Sequence, residues 1–177
     1  VLPLSGLRAR SEALLSDRLQ EPVSIASFRF MLFPSPQIRI DRISIGRAQE
    51  ISVETAVVPV PLRALLEDSK DFEEAHLTNV KIGESALPRL AAFAGARTAE
   101  TQINFGVLRM SSVKMTLGSI ELPSFDATLT LTPTGAFQKA QIQHPKIQLD
   151  LVPIKESGSL RVNFNGKGIE STIGPGI

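Results

Sequence analysis

Two apolar segments, each alternating with period two and each slipping phase once, constrain this chain more than anything else in it. They lie in residues 22–46, PVSIASFRFMLFPSPQIRIDRISIG. Val23 and Ile25 share one parity and Phe28, Phe30 and Leu32 the other; Ile38 and Ile40 are followed, out of phase, by Ile43 and Ile45. Period-two alternation marks a strand with one apolar face. The prolines of Phe33-Pro34-Ser35-Pro36, which lack donors for a sheet ladder, mark a turn between two such strands. A one-residue slip turns the following side chains to the opposite face, and a β-bulge brings them back. The expectation is a bulged, strongly twisted hairpin, with inserted residues at Ala26-Ser27 and Asp41-Arg42 and a single apolar face.

The second half of this pattern recurs. Ile40-Asp41-Arg42-Ile43-Ser44-Ile45-Gly46 is echoed by Leu77-Thr78-Asn79-Val80-Lys81-Ile82-Gly83. It returns in Met110-Ser111-Ser112-Val113-Lys114-Met115, which runs on through Thr116-Leu117 to Gly118. Each copy sets an apolar residue, two polar ones and then resumed alternation, at spacings of 37 (40 to 77) and 33 (77 to 110) residues. Repeats of that length belong to stacked or extended architectures, so the sheet is expected to grow by repetition.

The rest of the chain fits around these units as one domain, residues 1–177. Leu4, Leu7, Leu14 and Leu15 recur at helical spacing and predict an amphipathic helix over 5–19, either packed on the sheet or, with Arg8 and Arg10, lying near lipid. A first β unit over 22–83 includes a strand at Ile51, Val53, Thr55 and Val57, ended by Pro59 and Pro61. Residues 62–67 read as a short helical turn. Glu67, Asp68, Asp71, Glu73 and Glu74, against the single cation Lys70, read as a solvated acidic loop; they lack the Asx-Gly spacing of a Ca²⁺ loop. A second short helix is expected over 85–96, with Pro88 in its first turn, then a β-meander over 103–165 and a glycine-rich tail over 166–177. The fold class is mainly β (α+β): an elongated, strongly twisted antiparallel sheet curling into an apolar groove, with the two helices attached.

Composition excludes several functions. A formal net charge of +1 with interleaved signs supplies no field for nucleic acid, and the absence of Trp and Tyr removes the usual stacking platforms. With no Cys there is neither a disulfide framework nor a thiolate metal site. His76 and His144 stand apart from any paired acid, and no nucleophile elbow, phosphate loop or zinc-helix motif occurs. The expectation is a non-enzyme without metal or cofactor. No run reaches the length of a membrane-spanning helix. The chain opens on Val1-Leu2-Pro3-Leu4 without methionine, which suggests that an N-terminal segment has been removed.

The Leu14-Leu15-Ser16 helix, the Pro22-Val23-Ser24-Ile25 lead-in, the Phe33-Pro34-Ser35-Pro36 turn and the Ile43-Ser44-Ile45-Gly46 ending together resemble the N-terminal region of AsmA-like bacterial envelope proteins. The resemblance covers residues 1 to about 90; beyond 103 it rests on a general style of strands and glycines. It implies a periplasmic domain tethered to the inner membrane by a missing N-terminal anchor, taking part in outer-membrane biogenesis and carrying phospholipid or another acyl lipid in a β-groove.

The apolar face expected to line that groove comprises Phe28, Phe30, Leu32, Ile38, Ile40, Ile43, Ile45, Leu77, Val80, Ile82, Val113, Met115 and Leu117. Arg29, Arg39, Arg42 and Arg47 are headgroup candidates, although alternation would equally place arginines on a solvated face. The alternative function is a scaffold for envelope proteins that pairs through exposed strand edges.

Overall fold

A 15-residue helix, α1 (Ser5–Leu19), leads into a succession of strands: β1 (Val23–Met31), β2 (Gln37–Ile45), β3 (Ile51–Pro59), β4 (Asp71–Ile82), β5 (Asn104–Leu117), the two-residue β6 (Ile120–Glu121), β7 (Phe125–Leu131), β8 (Phe137–His144), β9 (Ile147–Pro153) and β10 (Leu160–Gly166). The computed structural model describes residues 5–19, 21–61, 71–86, 104–133, 136–153 and 160–166. The strands form one large twisted open sheet of ten, in the order β1-β2-β3-β4-β5-β7-β8-β9-β10, with β6 paired to β5 alone. The mainly β expectation is thus met, and every neighbour along the path is also a neighbour in sequence once β6 is set aside.

Three expectations need correction, the third being the bulges. First, the sheet is antiparallel everywhere except between β4 and β5, which run parallel with a constant offset of 33 residues, from Asp71 beside Asn104 to Ile82 beside Met115. A parallel neighbour needs a crossover of a dozen residues or more, and residues 83–103 supply it. That span opens with a short 3₁₀ turn (Glu84–Ala86); the rest of the helix expected over 85–96 lies outside the described residues, as do 62–70. Secondly, Asp71, Glu73 and Glu74 belong to β4 rather than to an acidic loop.

The parallel offset explains the sequence repeat. With an offset of 33, the Leu77 and Met110 copies lie side by side and in step. The Ile40 copy on β2 is separated from β4 by antiparallel β3, so all three copies run in the same direction. Repetition in sequence is therefore repetition across the sheet.

The phase slips are not bulges between β1 and β2. Ile25 faces Ile43 and Ser27 faces Asp41 in one unshifted register, so the slip at Ala26 lies opposite the slip at Arg42. The same holds for Arg42 against Glu54 and for Glu54 against Asn79, and the parallel offset sets Asn79 beside Ser112. Arg42, Asn79 and Ser112, the second polar residue of each repeat, have φ of 52°, 53° and 54°. The result is a crease crossing five strands, at which every strand changes phase together and so keeps its apolar side chains on one face. A true bulge comes at the far end of the crease. Met110 faces Ala127 but Val113 faces Phe125, so Ser111 and Ser112 together oppose Asp126. The Ser112 N–H donates to Asp126 Oδ1 at 2.9 Å, and β7 continues without a slip.

Helix α1 shields the outer edge of β1 over Val23–Ala26. Leu15 packs against the core, while Val23 N–H donates to Ser16 Oγ (2.9 Å), Ile25 N–H donates to Glu12 Oε1 (2.7 Å) and Arg8 donates to the Ala26 carbonyl (3.4 Å). Backbone groups that would otherwise form an open ladder are thus satisfied by side chains. The helix meets the sheet through these polar contacts as well as through Leu15.

Candidate functional site

The crease divides the apolar face into two unlike halves. On the α1 side, Val23, Ile25, Ile43, Val53, Val80 and Val113 are all buried, with Ile25 at 2% and Val113 at 1% exposure; Ile45 and Ile82 pack around them. This is a closed core. On the other side the strand register assembles two apolar rows. Phe28, Ile40, Ala56, Leu77, Met110, Ala127, Ile142, Leu149 and Phe164 follow one another from β1 to β10 without a polar interruption. Beside them, Phe30, Ile38 and Val58 line up on the first three strands. Ala75, Leu108, Leu129, Ala140, Leu151 and Val162 carry the line on to β10.

At about 4.8 Å per strand, nine strands make this apolar floor roughly 38 Å across. Its alanines and Val58 are buried among larger neighbours, most of its large side chains are half-buried, and its margins are open. The open margins are Phe30 at one end and, on β10, Val162 (56%) and Phe164 (45%). Leu32 and Phe33 at the β1–β2 turn extend the exposed margin, Phe33 to 85%.

The groove candidates therefore separate. Phe28, Phe30, Ile38, Ile40 and Leu77 stand on the floor. Ile43, Val80 and Val113 belong to the closed core, where they line no open surface. Ile45, Ile82 and Met115 flank that core in a further apolar row with Val23 and Ile51, Leu117 lies at the end of β5 beside Ile120, and Leu32 sits in the turn. Sequence reading missed the whole β7–β10 half of the floor. Its alternation was legible, but which parity faces the floor depends on the bulge at Ser111-Ser112.

The opposite face is polar, and its charges are paired. Arg29, Arg39, Val57, His76, Arg109, Thr128, Gln141, Asp150 and Asn163 form the matching row. Arg29 and Arg39 both donate to Asp41, at 2.6 and 2.9 Å, and Thr55 Oγ1 lies 3.4 Å from the same carboxylate. These bonds, that of Arg39 first, hold the Asp41 carboxyl below its ordinary range against the opposing effect of burial. Glu74 is lowered in the same way, first by its bond to His76 (2.9 Å) and then by Arg109 (3.1 Å). Of the four headgroup candidates, Arg29 and Arg39 thus point away from the floor and are engaged; Arg42 lies on the crease and Arg47 in the turn after β2, both exposed.

Nothing in the described polar groups forms a reaction centre. His144 Nδ1 accepts the Lys146 N–H at 3.3 Å in a turn, and His76 is tied to Glu74. Among the described residues, no three His, Asp or Glu side chains gather as metal ligands, and no helix is long and apolar enough to cross a membrane. A cleft of about 660 Å³ at the sheet end carries Lys81 and Lys114 against Glu50 and Glu121, a balanced set that favours neither sign of ligand.

Comparison with known families, with curated proteins and with solved structures returned no match.

Proposed function

We propose that this chain is a lipid-handling domain of the AsmA-like kind, in which acyl chains complete the apolar floor. The observation that carries the proposal is the pair of apolar rows crossing nine strands with exposed aromatic and aliphatic ends. A monomeric soluble domain rarely leaves such a surface open unless something lies on it. Each methylene moved from water onto the floor gains about 0.8 kcal/mol, and almost nothing if it comes from a bilayer. That near balance suits a carrier, which must release what it takes up. On this reading the domain works without catalysis or cofactor, on the periplasmic side of an inner membrane to which an N-terminal anchor tethers it, and serves outer-membrane biogenesis.

The test is capture of lipid in the cell envelope. A photo-crosslinking residue at Ile40 or Leu149 is expected to label with phospholipid, and one at Thr55 or Thr78, on the polar face, is not. Lipid extraction of the purified protein followed by mass spectrometry is expected to return phospholipid in stoichiometric amount. Phe164→Asp, at an exposed position beside Leu149, should abolish labelling at Leu149 while leaving the circular dichroism unchanged. Ile43→Asp is uninformative, because it unfolds the closed core. Absence of bound phospholipid together with equal labelling from both faces would discard the proposal.

A further inference from the structure

The turn between β1 and β2 is apolar on both of its faces. Phe30 and Leu32 continue the parity of the floor, whereas Met31 and Phe33 continue that of Arg29 on the polar face. All four are exposed, Leu32 at 68% and Phe33 at 85%. Of the seven large apolar side chains left exposed among the described residues, these four are consecutive. The turn lies within the described segment 21–61 and is closed on both sides by paired strands, Met31 facing Gln37, so it is neither a sheet edge nor a chain end. A flat surface laid against it would cover one face and leave the other in water. A medium that surrounds it covers both.

We propose that this turn inserts into the surface of an anionic phospholipid bilayer. Charge favours that occupant. Residues 28–40 hold Arg29 and Arg39 and no acidic residue. The two arginines face each other across β1 and β2 and share the single carboxylate of Asp41, which leaves one positive charge in excess. Both side chains also remain open to solvent. Arg29 lies four residues behind Phe33 in sequence, about 13 Å of extended chain. Apolar segments that lie in a bilayer interface are buried by about 5–10 Å at the boundary of headgroups and acyl chains. With Leu32 and Phe33 at that depth, the guanidinium groups stand at the level of the phosphates. The direction of α1 agrees. Ser16, Glu12 and Arg8 meet Val23, Ile25 and Ala26 in that order, so α1 runs antiparallel to β1 and its N-terminus points to the same end of the sheet as the turn. That end also carries the start of β4, where Glu73 is exposed. An acidic residue two strands from β2, at about 4.8 Å per strand, opposes wider contact with anionic lipid and confines insertion to the turn. The contact does not require acyl chains on the floor, so this inference stands or falls separately from that reading.

The chain has no Trp or Tyr, so a single introduced indole reports alone. Phe33→Trp mixed with vesicles of phosphatidylethanolamine and phosphatidylglycerol is expected to emit at shorter wavelength and to be quenched by lipids brominated on their acyl chains. Ile120→Trp, exposed at the opposite end of the sheet, is expected to show neither effect. The parent protein should float with the same vesicles, several-fold less when phosphatidylcholine replaces phosphatidylglycerol. A protein carrying Leu32→Ser and Phe33→Ser should not float, with its urea midpoint unchanged. Emission of Phe33→Trp that vesicles leave unaltered overturns the proposal, as does an equal response from Ile120→Trp or equal flotation with and without phosphatidylglycerol. A urea midpoint lowered by Phe33→Ser overturns it too, by placing the turn against the protein itself. So does a parent dimer that Phe33→Ser makes monomeric and that ignores vesicles, which would assign the turn to a second copy. Vesicle binding through the turn by a protein that yields no lipid on purification upholds this proposal and removes the acyl-chain one.

Discussion

At the scale of single residues, three of the five phase slips fall on side-chain-bearing residues held at positive φ. Arg42, Asn79 and Ser112 occupy a region that costs an L-residue about 1 kcal/mol or more, least for Asn. Arg42→Gly should therefore raise stability by about 0.5–1 kcal/mol, whereas Arg42→Val, a branched residue in the same conformation, should lower it by about 1–2 kcal/mol, both read from urea midpoints. Asp41 supplies a pH dependence. Its folded-state pKa is depressed, so its contribution is complete above the unfolded-state value of about 3.9 and is lost as pH falls through the folded value. Asp41→Asn should cost roughly 1 kcal/mol at neutral pH and nothing once the carboxyl is protonated, so the urea curves of variant and parent should converge in acid.

At the scale of elements, α1 and β7 show how local chemistry ends a pattern. Glu12 and Ser16 act on β1 as an additional strand would, by accepting its outward N–H groups. Glu12→Ala should leave the helix formed but remove protection from hydrogen exchange at the Ile25 amide far more than at amides of β2, at a stability cost of about 1–3 kcal/mol. If the Ile25 amide stays protected, α1 is not what closes that edge. Asp126 performs the matching task at the other end of the crease, where it receives the Ser112 N–H and lets two residues oppose one. A carboxylate placed there converts a matched phase change into a bulge, and beyond it β7 and β8 keep one register up to the shift between Thr130 and Leu131.

At the scale of the whole molecule, burial is deepest on the α1 side of the crease and falls off toward the margins of the floor. Ile25 and Val113, four places apart in strand order yet both in one core, carry the most deeply buried part. Ile25→Ala should cost about 2–5 kcal/mol in urea unfolding, while Phe30→Ala on the open margin should cost well under half of that, although it removes more carbon. The stability of the domain thus resides near α1, and the exposed large side chains of the floor lie at its margins, Phe30, Val162 and Phe164.

Strand identity, the turn prolines, the repeat and the existence of one apolar face were all legible in the sequence, because each follows from periodicity and residue type along a few neighbouring positions. Arg29 and Arg39 could be placed by parity once a face was chosen. What the sequence left open was how separate strands align. The slips at Ala26, Arg42, Glu54, Asn79 and Ser112 form a single crease only because five strands place them abreast, and that alignment includes one parallel junction spanned by residues 83–103. The same alignment buries Ile43 within the core and leaves Ile40, three residues away, half-buried at the core's edge. Covalent neighbours determine the alternation; register across the sheet, which is a property of strands distant in sequence, determines what each alternating side chain meets.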